Sequence, residues 1–492
     1  MAAVVLALDE GTTGATAIAV GLDGEVRGKG YREITQHYPR PGWVEHDANE
    51  IWSAVQSSAK QALDAAGASQ ADVAAVGITN QRETLVLWDR RSLEPIAPAI
   101  VWQDRRTADE CLRLREAGHE ERVGEITGLV IDPYFTATKY AWALHNIEGA
   151  RDAAAGTVDS WLVARLSEGK AHVTDASNAS RTLLFDIGHG AWSEEMADLF
   201  GVSTANLPQV VDSSGAIAVN VTGIAGDQQA ALFGQACVQP GMAKNTYGTG
   251  SFVLVQTGGD RVRSHSGMLT TVAWRRDGRL TYALEGAIFI TGAALQWLRD
   301  VLGIIKSAAE AGPLAASVPD TGGVYLVPAF VGLGAPHWDP YARGTIVGLT
   351  RGTGRAEIVR AAVEAMAYQT CDVVEAMVRD SGSRLKELRV DGGAVVMDVL
   401  CQLQADLLGI PVRRPRHTET TALGAAYLAG LGAGVWSDSD LAALWKLDRE
   451  FTPSMSRDEA QSKLERWRRA VERSREWAKP DNQYSLELRA EP

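Results

Sequence analysis

The sequence predicts an α/β protein. Three observations carry that prediction: a meander of short strands gives way to capped helices, a comparable order returns in the second half, and the 49 glycines among 492 residues gather where strands end. Globular chains average roughly 7% glycine, which this chain exceeds. Hydrophobic residues make up 46% and charged residues 22%, the range of packed domains and not of disordered chains or coiled coils. At roughly 150 residues per domain, the length suggests two or three domains.

Taken in order, residues 4–8 are an apolar run, 11–14 a glycine turn, 15–20 a second run, Asp23-Gly24 a hairpin signal and 25–31 an alternating third segment. This is a three-strand meander. Asp47 and Glu50 then form a capping box, and Ile51, Trp52, Val55, Ala59 and Leu63 keep helical spacing until Gly67 stops them. Strands are expected over 73–79, 85–88 and 99–102, and a capped helix opens at Thr107 with Glu110. In the second half 242–247, 251–256 and 269–273 read as strands, 292–301 and 356–378 as helices, and 388–390 as a strand running into Asp391-Gly392-Gly393. The turn-prone Gln239-Pro240-Gly241 divides the halves, so the expected domains are 1–240 and 241–480. Residues 457–479 predict an amphipathic helix burying Leu464, Trp467, Val471 and Trp477, with 481–492 a loose tail.

Several function classes drop out early. A net charge of −13 with no long basic block argues against nucleic acid as a partner. Cys111, Cys237, Cys371 and Cys401 lie far apart without a CxxC pair, the pattern of reduced buried thiols and not of disulfides or a zinc site. The first apolar run meets Asp9 too soon for a leader, and no apolar run approaches the roughly 20 residues a bilayer requires, so a cytoplasmic protein without membrane association is expected. None of the nine histidines falls in an HExxH or close pair, and none is assigned to metal or catalysis.

Four glycine-rich turns carry chemistry. In DEGTTGAT, residues 9–16, Gly11 and Gly14 let backbone N–H groups approach anionic oxygens, Thr12 and Thr13 add hydroxyls, and Asp9 can hold Mg²⁺ directly or through water. A tight hairpin with Asp9 as a turn former is the competing reading. GIAGDQQAALFG, residues 223–234, puts Asp227 at a helix N-cap, where a purely structural role also accounts for it. NTYGTGSF, residues 245–252, repeats the small, donor-rich chemistry at Gly248, Thr249 and Gly250, and RVDGGA, residues 389–394, ends a strand in two glycines suited to a nucleotide. Together, glycine turns in both halves and two acidic residues imply a cleft for polyphosphate and metal, with no Walker A motif present. The acceptor side is read from 80–84, 101–106 and 131–135: Arg82 and Glu83 offer opposed donors and acceptors to a small polyol, while Trp102, Tyr134 and Phe252 wall its C–H edge. An Arg-Glu pair on a solvated surface and a tryptophan in the core are the plain alternatives. A kinase for another small polyol, or a nucleotide-binding switch without turnover, also fits these residues.

GWVEHD (42–47), GITNQRET (77–84), GLVIDPYF (128–135), TDASNASRT (174–182), TGIAGDQQAALFGQ (222–235), KNTYGTG (244–250), YALEG (282–286), GLGAPHWDPYARG (332–344), RVDGGA and TALGAAYLAGL (421–431) resemble the glycerol kinases of the FGGY carbohydrate kinase family. The likeness runs over nearly the whole chain. It implies two actin-like, ribonuclease H-like domains closing on an interdomain catalytic cleft, the first on the glycerol side and the second on the nucleotide side. It also implies ATP-dependent phosphorylation of glycerol to sn-glycerol 3-phosphate, the first step of glycerol catabolism. By that resemblance Arg82, Glu83, Trp102, Tyr134, Asp227, Gln228 and Phe252 bind glycerol and Asp227 is the general base. Thr12, Thr13, Gly14, Gly248, Thr249, Gly292, Gln296, Gly392, Gly393 and Met397 face ATP or ADP, and Asp9 and Asp227 serve Mg²⁺. A homodimer or homotetramer is what relatives suggest.

The departures are specific. Where the family commonly reads DQGTTSSR, this chain has Glu10, Gly14, Ala15 and Thr16, so a cationic phosphate contact is lost. Met397 replaces an asparagine that offers an amide near the nucleotide, and weaker ATP binding is the expectation. Between Ser213 and Gly223 no lysine or arginine occurs, where many bacterial relatives carry a basic loop for a sugar bisphosphate. Fructose 1,6-bisphosphate is therefore expected to leave the rate unchanged; a cooperative loss of activity would refute that.

Overall fold

The computed structural model describes residues 3–479, and the 481–492 segment expected as a loose tail lies outside the described residues. Two twisted sheets organise the chain. The first contains the predicted meander, β1 (Val4–Gly11), β2 (Gly14–Gly21) and β3 (Val26–Glu33), followed by α1 (Ala48–Ala66) and β4 (Val73–Asn80). After a long insertion that includes α2 (Thr136–Asn146), the sheet is completed by β5 (Ser214–Ala218) and β6 (Val221–Gly226), in the order β5-β6-β4-β1-β2-β3. β1 pairs antiparallel with β2 and parallel with β4, so two hairpin strands lie on one side of β1, and on the other lie the parallel β4 and β6, edged by the antiparallel β5.

Helix α3 (Asp227–Gly234) leads to the second sheet, which holds β7 (Ala243–Tyr247), β8 (Ser251–Gly258), β9 (Leu269–Arg276) and β10 (Arg279–Ile288). Then come α4 (Gly292–Asp300), α5 (Arg355–Ser381), β11 (Leu388–Asp391), β12 (Val412–Pro415), α6 (Thr420–Gly432), β13 (Leu447–Phe451) and α7 (Arg457–Ser474). The strand order is β9-β10-β8-β7-β11-β12-β13. β7 plays the part of β1, antiparallel to β8 and parallel to β11. The two halves therefore share one plan.

They do not share one boundary. α6 comes from the second half of the chain yet packs on the first sheet: a Cβ at Gly77 of β4 would stand 2.1 Å from the Ala425 carbonyl oxygen. One apolar cluster joins Val5, Ile18 and Val20 to Phe233, Leu254, Trp274, Leu423 and Leu428, so α3 and α6 form a common layer between the sheets. Arg82, just beyond the end of β4, lies 5.8 Å from the ring of Phe252 at the start of β8, so these two strand ends meet across the layer.

Local expectations fare unevenly. Asp47 caps α1 by accepting from Asn49 N at 2.8 Å, and Gly67 closes it in the left-handed region at φ 65°. Glu50 does not complete the box; its carboxylate holds the Thr35 hydroxyl and backbone N–H instead. Thr107 likewise makes no cap bond, its hydroxyl being paired with that of Thr138 at 2.8 Å. Leu464, Trp467 and Val471 are buried on α7, but the helix ends at Ser474 and Trp477 lies 74% exposed beyond it. All four cysteines are buried and unbridged. No helix among the described residues is long and apolar enough to cross a membrane.

Candidate active site

At the end of β1 the chain turns through Thr12 and Thr13 into β2, where Asp9 and Thr16 stand opposite each other. Gly14 is required there: a Cβ would meet the Tyr31 hydroxyl at 2.5 Å and the Arg32 carbonyl oxygen at 2.7 Å. Burial, then the charges of Asp227 and Glu419, push the Asp9 carboxyl up to about 8, with Lys29 opposing. Lys29 is itself paired with Glu419 at 2.5 Å. Surplus negative charge of this kind suits a hard cation that keeps water and phosphate ligands. Among the described residues no cluster of three or more His, Cys, Asp or Glu forms an all-protein metal cage.

Arg82 and Glu83 follow β4, and contrary to the solvated reading both are buried, 3% and 1% exposed. Glu83 adopts φ 63°, uncommon for a non-glycine residue. Its conformation is pinned by Thr136 Oγ1 donating to its carbonyl at 3.1 Å and by Arg181 Nε donating to its carboxylate at 2.7 Å. The Arg82 fork donates to Glu285 at 2.5 and 3.1 Å, while its Nε lies 3.0 Å from Asp227 Oδ1. Gly226 clears the way for it, since a Cβ there would lie 2.7 Å from Arg82 Cγ and Cδ. Burial works against the Arg82 cation, but Glu285 and Glu83 outweigh it and hold the guanidinium firmly protonated. Burial would also raise Glu285; Arg181 and Arg82 overcome it and bring that carboxyl down to about 2.

Asp227 is not the N-cap. Gly226 occupies that position and Asp227 is the first residue of α3, without a capping bond. Its carboxylate is drawn instead to Arg82 and to Gln228 N, which donates to Oδ1 at 2.7 Å, and both contacts fall on that one oxygen. The next side chain, Gln228, accepts from the buried Lys244 Nζ at 2.5 Å. Burial, opposed by Asp391 and Asp227, lowers Lys244 to about 8.

Aromatic walls close around these groups. Trp102 and Tyr134 meet edge to face at 5.4 Å, Phe252 lies 5.8 Å from the Arg82 guanidinium, and Arg181 lies 5.6 Å from the Tyr134 ring. Lys139 fixes the Tyr134 backbone, donating to its carbonyl at 2.7 Å. On the far side the Gly248–Gly250 turn docks on α4: Gly292 N and Ala293 N donate to Gly248 and Thr249 carbonyls, each at 3.0 Å. Thr249 and Gln296 remain exposed beside that junction. Gly392, at φ 89°, lies against Tyr247, where a Cβ would stand 2.4 Å from the carbonyl oxygen. Gly393 is exposed next to it, whereas Met397 is buried against Gly312. The predicted residues therefore fall into a group around Arg82 and Asp227, a group around Gly248, Gly292 and Gly392, and the β1–β2 turn, which Trp102 Nε1 ties to the first group by donating to Thr12 Oγ1 at 2.8 Å.

Three charged residues escaped the sequence reading of the site: Arg181, Glu285 and Lys244. Each lies inside a quoted motif, and a lone Glu285 in the apolar stretch YALEGAIF was the available signal.

Residues 4–234 match the N-terminal domain of the FGGY family of carbohydrate kinases and 243–433 its C-terminal domain. A glycerol kinase of Dechloromonas aromatica is 57% identical over 491 residues, covering 96% of this chain and 98% of the relative. Glycerol kinase 2 of Thermotoga maritima is 55% identical over 492 residues, covering 96% and 99%. Among solved structures, Plasmodium falciparum glycerol kinase with ADP superposes with a TM-score of 0.89 at 32% identity, covering 96% of this chain and 98% of that one.

Proposed function

This chain belongs to the FGGY family of carbohydrate kinases, and we propose that it transfers the γ-phosphoryl group of ATP to glycerol, giving sn-glycerol 3-phosphate in the cleft between its two sheets. The acceptor is held by Arg82, Glu83, Tyr134, Gln228 and Asp227, with Trp102 and Phe252 against its carbon chain. Thr12, Thr13, Gly14, Gly248, Thr249, Gly292, Gln296, Gly392 and Gly393 receive the nucleotide. Met397 is set apart from these by its burial.

The observation that carries the reading is the Asp227 carboxylate, freed from capping and held by a buried guanidinium at 3.0 Å. Arg82 orients Oδ1, so the group accepts the proton of the attacking hydroxyl as the new P–O bond forms and the γ-phosphoryl bond to ADP breaks. A carboxylate is a weak base, so its principal contribution is alignment of that hydroxyl and late proton acceptance. Asp9 and Asp227 would hold Mg²⁺, a fit supported by the raised Asp9 carboxyl. When bound, Mg²⁺ neutralises charge on the phosphate oxygens. The glycine turns of both halves exclude water from the γ-phosphoryl group, limiting hydrolysis.

The test is coupled ADP release with identification of the product. Glycerol-dependent turnover giving sn-glycerol 3-phosphate, reduced about 10²- to 10⁴-fold in Asp227→Asn, is the expected result. Turnover with another polyol and not with glycerol would refute the substrate; a fully active Asp227→Asn would refute the base.

A further inference from the structure

Glu285 does not touch the cleft, yet it determines how the polyol side is presented to it. It lies on β10 in the second sheet, whereas Arg82, Glu83 and Arg181 belong to the first half of the chain. Its two carboxylate oxygens take three charge-assisted hydrogen bonds: Arg82 Nη1 at 2.5 Å, Arg82 Nη2 at 3.1 Å and Arg181 Nη2 at 3.0 Å. Arg181 then passes the constraint on, donating through Nε to Glu83 at 2.7 Å. All four side chains are buried, with Glu285 and Arg181 wholly so.

Counting donors shows what this accomplishes. A guanidinium offers five N–H groups in a rigid fork. Glu285 takes one N–H from each terminal nitrogen of Arg82 and Gln229 Oε1 takes the second on Nη1 at 3.2 Å, which turns the fork so that Nε faces Asp227, at 3.0 Å. Without Glu285 the fork would be free to turn on Asp227 and Glu83, forming a closed ion pair with the groups that must receive the substrate. The junction is seated by further bonds across the halves: Thr270 N donates to the Gly128 carbonyl at 2.9 Å, and Gln229 Nε2 donates to Thr271 Oγ1 at 3.1 Å.

We propose that Glu285 is a positioning residue for the acceptor site, reaching from the second sheet to hold Arg82 directly and Glu83 through Arg181, so that the polyol pocket is complete only when β10 is docked. This rests on the reading of Arg82 and Glu83 as polyol ligands. Glu285→Gln keeps the shape but brings an amide N–H₂ against guanidinium donors, leaving buried charge unpaired.

The experiment measures KM for glycerol and for ATP separately in the wild type, Glu285→Gln, Glu285→Asp, Arg181→Lys and Arg82→Lys, with thermal melting of each. Glu285→Gln is expected to raise the glycerol KM by at least about tenfold, the loss of one charged hydrogen bond, and to leave the ATP KM within about twofold. Arg82→Lys tests the underlying site: if it leaves the glycerol KM unchanged, the assignment of the acceptor ligands fails. If Arg82→Lys raises that KM while folded Glu285→Gln leaves it unchanged, or lowers only the melting temperature, or raises both KM values equally, the inference alone is overturned. Should Glu285→Gln not fold, Glu285→Asp and Arg181→Lys decide in the same way: a raised glycerol KM in either supports the inference, and an unchanged one in both refutes it.

Discussion

The indole N–H of Trp102 donates a 2.8 Å hydrogen bond to the hydroxyl of Thr12. One partner is proposed to wall the acceptor side, and the other lies in the glycine turn proposed for the nucleotide. Behind them the contact continues inward, with Trp102 N donating to Thr84 Oγ1 at 3.2 Å, Thr84 Oγ1 to Gln81 Oε1 at 2.9 Å, and Gln81 Nε2 to Glu10 at 2.9 Å. Trp102→Phe keeps a ring against Tyr134 and deletes this bond. A neutral hydrogen bond contributes about 1 kcal/mol, so kcat/KM should fall roughly fivefold for glycerol and for ATP alike. Thr12→Val should cost a similar amount, and the double variant no more than either single one. Additive losses would show that the bond does not link the two substrates.

The second prediction follows from Asp9. Its carboxyl is pushed up to about 8, whereas in the unfolded chain it titrates near 3.8. The folded state therefore binds the proton more tightly: stability is greatest below the unfolded value and is lost as pH rises toward 8. A cation bound to the ionised form reverses that loss. At pH 6, two units below the folded value, the proton competes about 100-fold. The rise in melting temperature produced by Mg²⁺ should thus grow from pH 6 to 8.5, and Asp9→Asn should abolish the pH dependence. A shift that is flat across this range would remove Asp9 from the metal site.

Much of this was legible in the sequence, because glycines and prolines punctuate locally. The β1–β2 meander, the turns at Gly11, Gly248 and Gly392 and the acidic Asp9 each follow from a few neighbouring residues. The Arg82–Glu285 pair could not be read in the same way, since 203 positions separate its members and only the docking of one half on the other brings them together. The placement of Asp227 at the helix N-cap failed for a related reason: local preference favours a cap, and a guanidinium distant in sequence outweighs it. α6 was visible as a motif but not as the layer between the sheets, although a helix apolar on every face, as TALGAAYLAGL is, signals burial on all sides.

The third prediction concerns ATP. Thr16 faces Asp9 across the β1–β2 pair, so an arginine there lies on the same side of the sheet as the Asp9 carboxylate, the side proposed above for metal and phosphates. Met397 is the N-cap of the helix Asp398–Leu408, a position that accepts asparagine well, but its side chain is buried against Gly312. Met397→Asn alone should therefore lower the melting temperature, while Thr16→Arg with Met397→Asn lowers the ATP KM about tenfold, the value of one charge-assisted phosphate contact. A double variant that is folded and shows an unchanged ATP KM would refute the idea that these two positions limit nucleotide binding.

The fourth prediction tests the layer that carries Asp227. α3 and α6 cross at two glycines: a Cβ at Gly424 would lie 1.8 Å from the Ala230 carbonyl oxygen, and one at Gly234 would lie 1.9 Å from that of Thr420. At an unconstrained helical site, glycine to alanine stabilises by up to about 1 kcal/mol through backbone entropy. Here the methyl group meets rigid backbone and the helices must separate, an overpacking cost of about 1–3 kcal/mol or more that outweighs the gain. Gly124, in the helix Glu120–Thr127, supplies the comparison, because its Cβ would meet nothing nearer than 3.5 Å. Denaturant midpoints should therefore move in opposite directions, down for Gly424→Ala and level or up for Gly124→Ala. Separation of the helices also moves the first residue of α3, so the Gly424 variant should lose kcat for glycerol even at temperatures where it is fully folded. Equal stability of the two variants would mean that α3 and α6 are not locked at this crossing, and that the position of Asp227 is maintained by Arg82 alone.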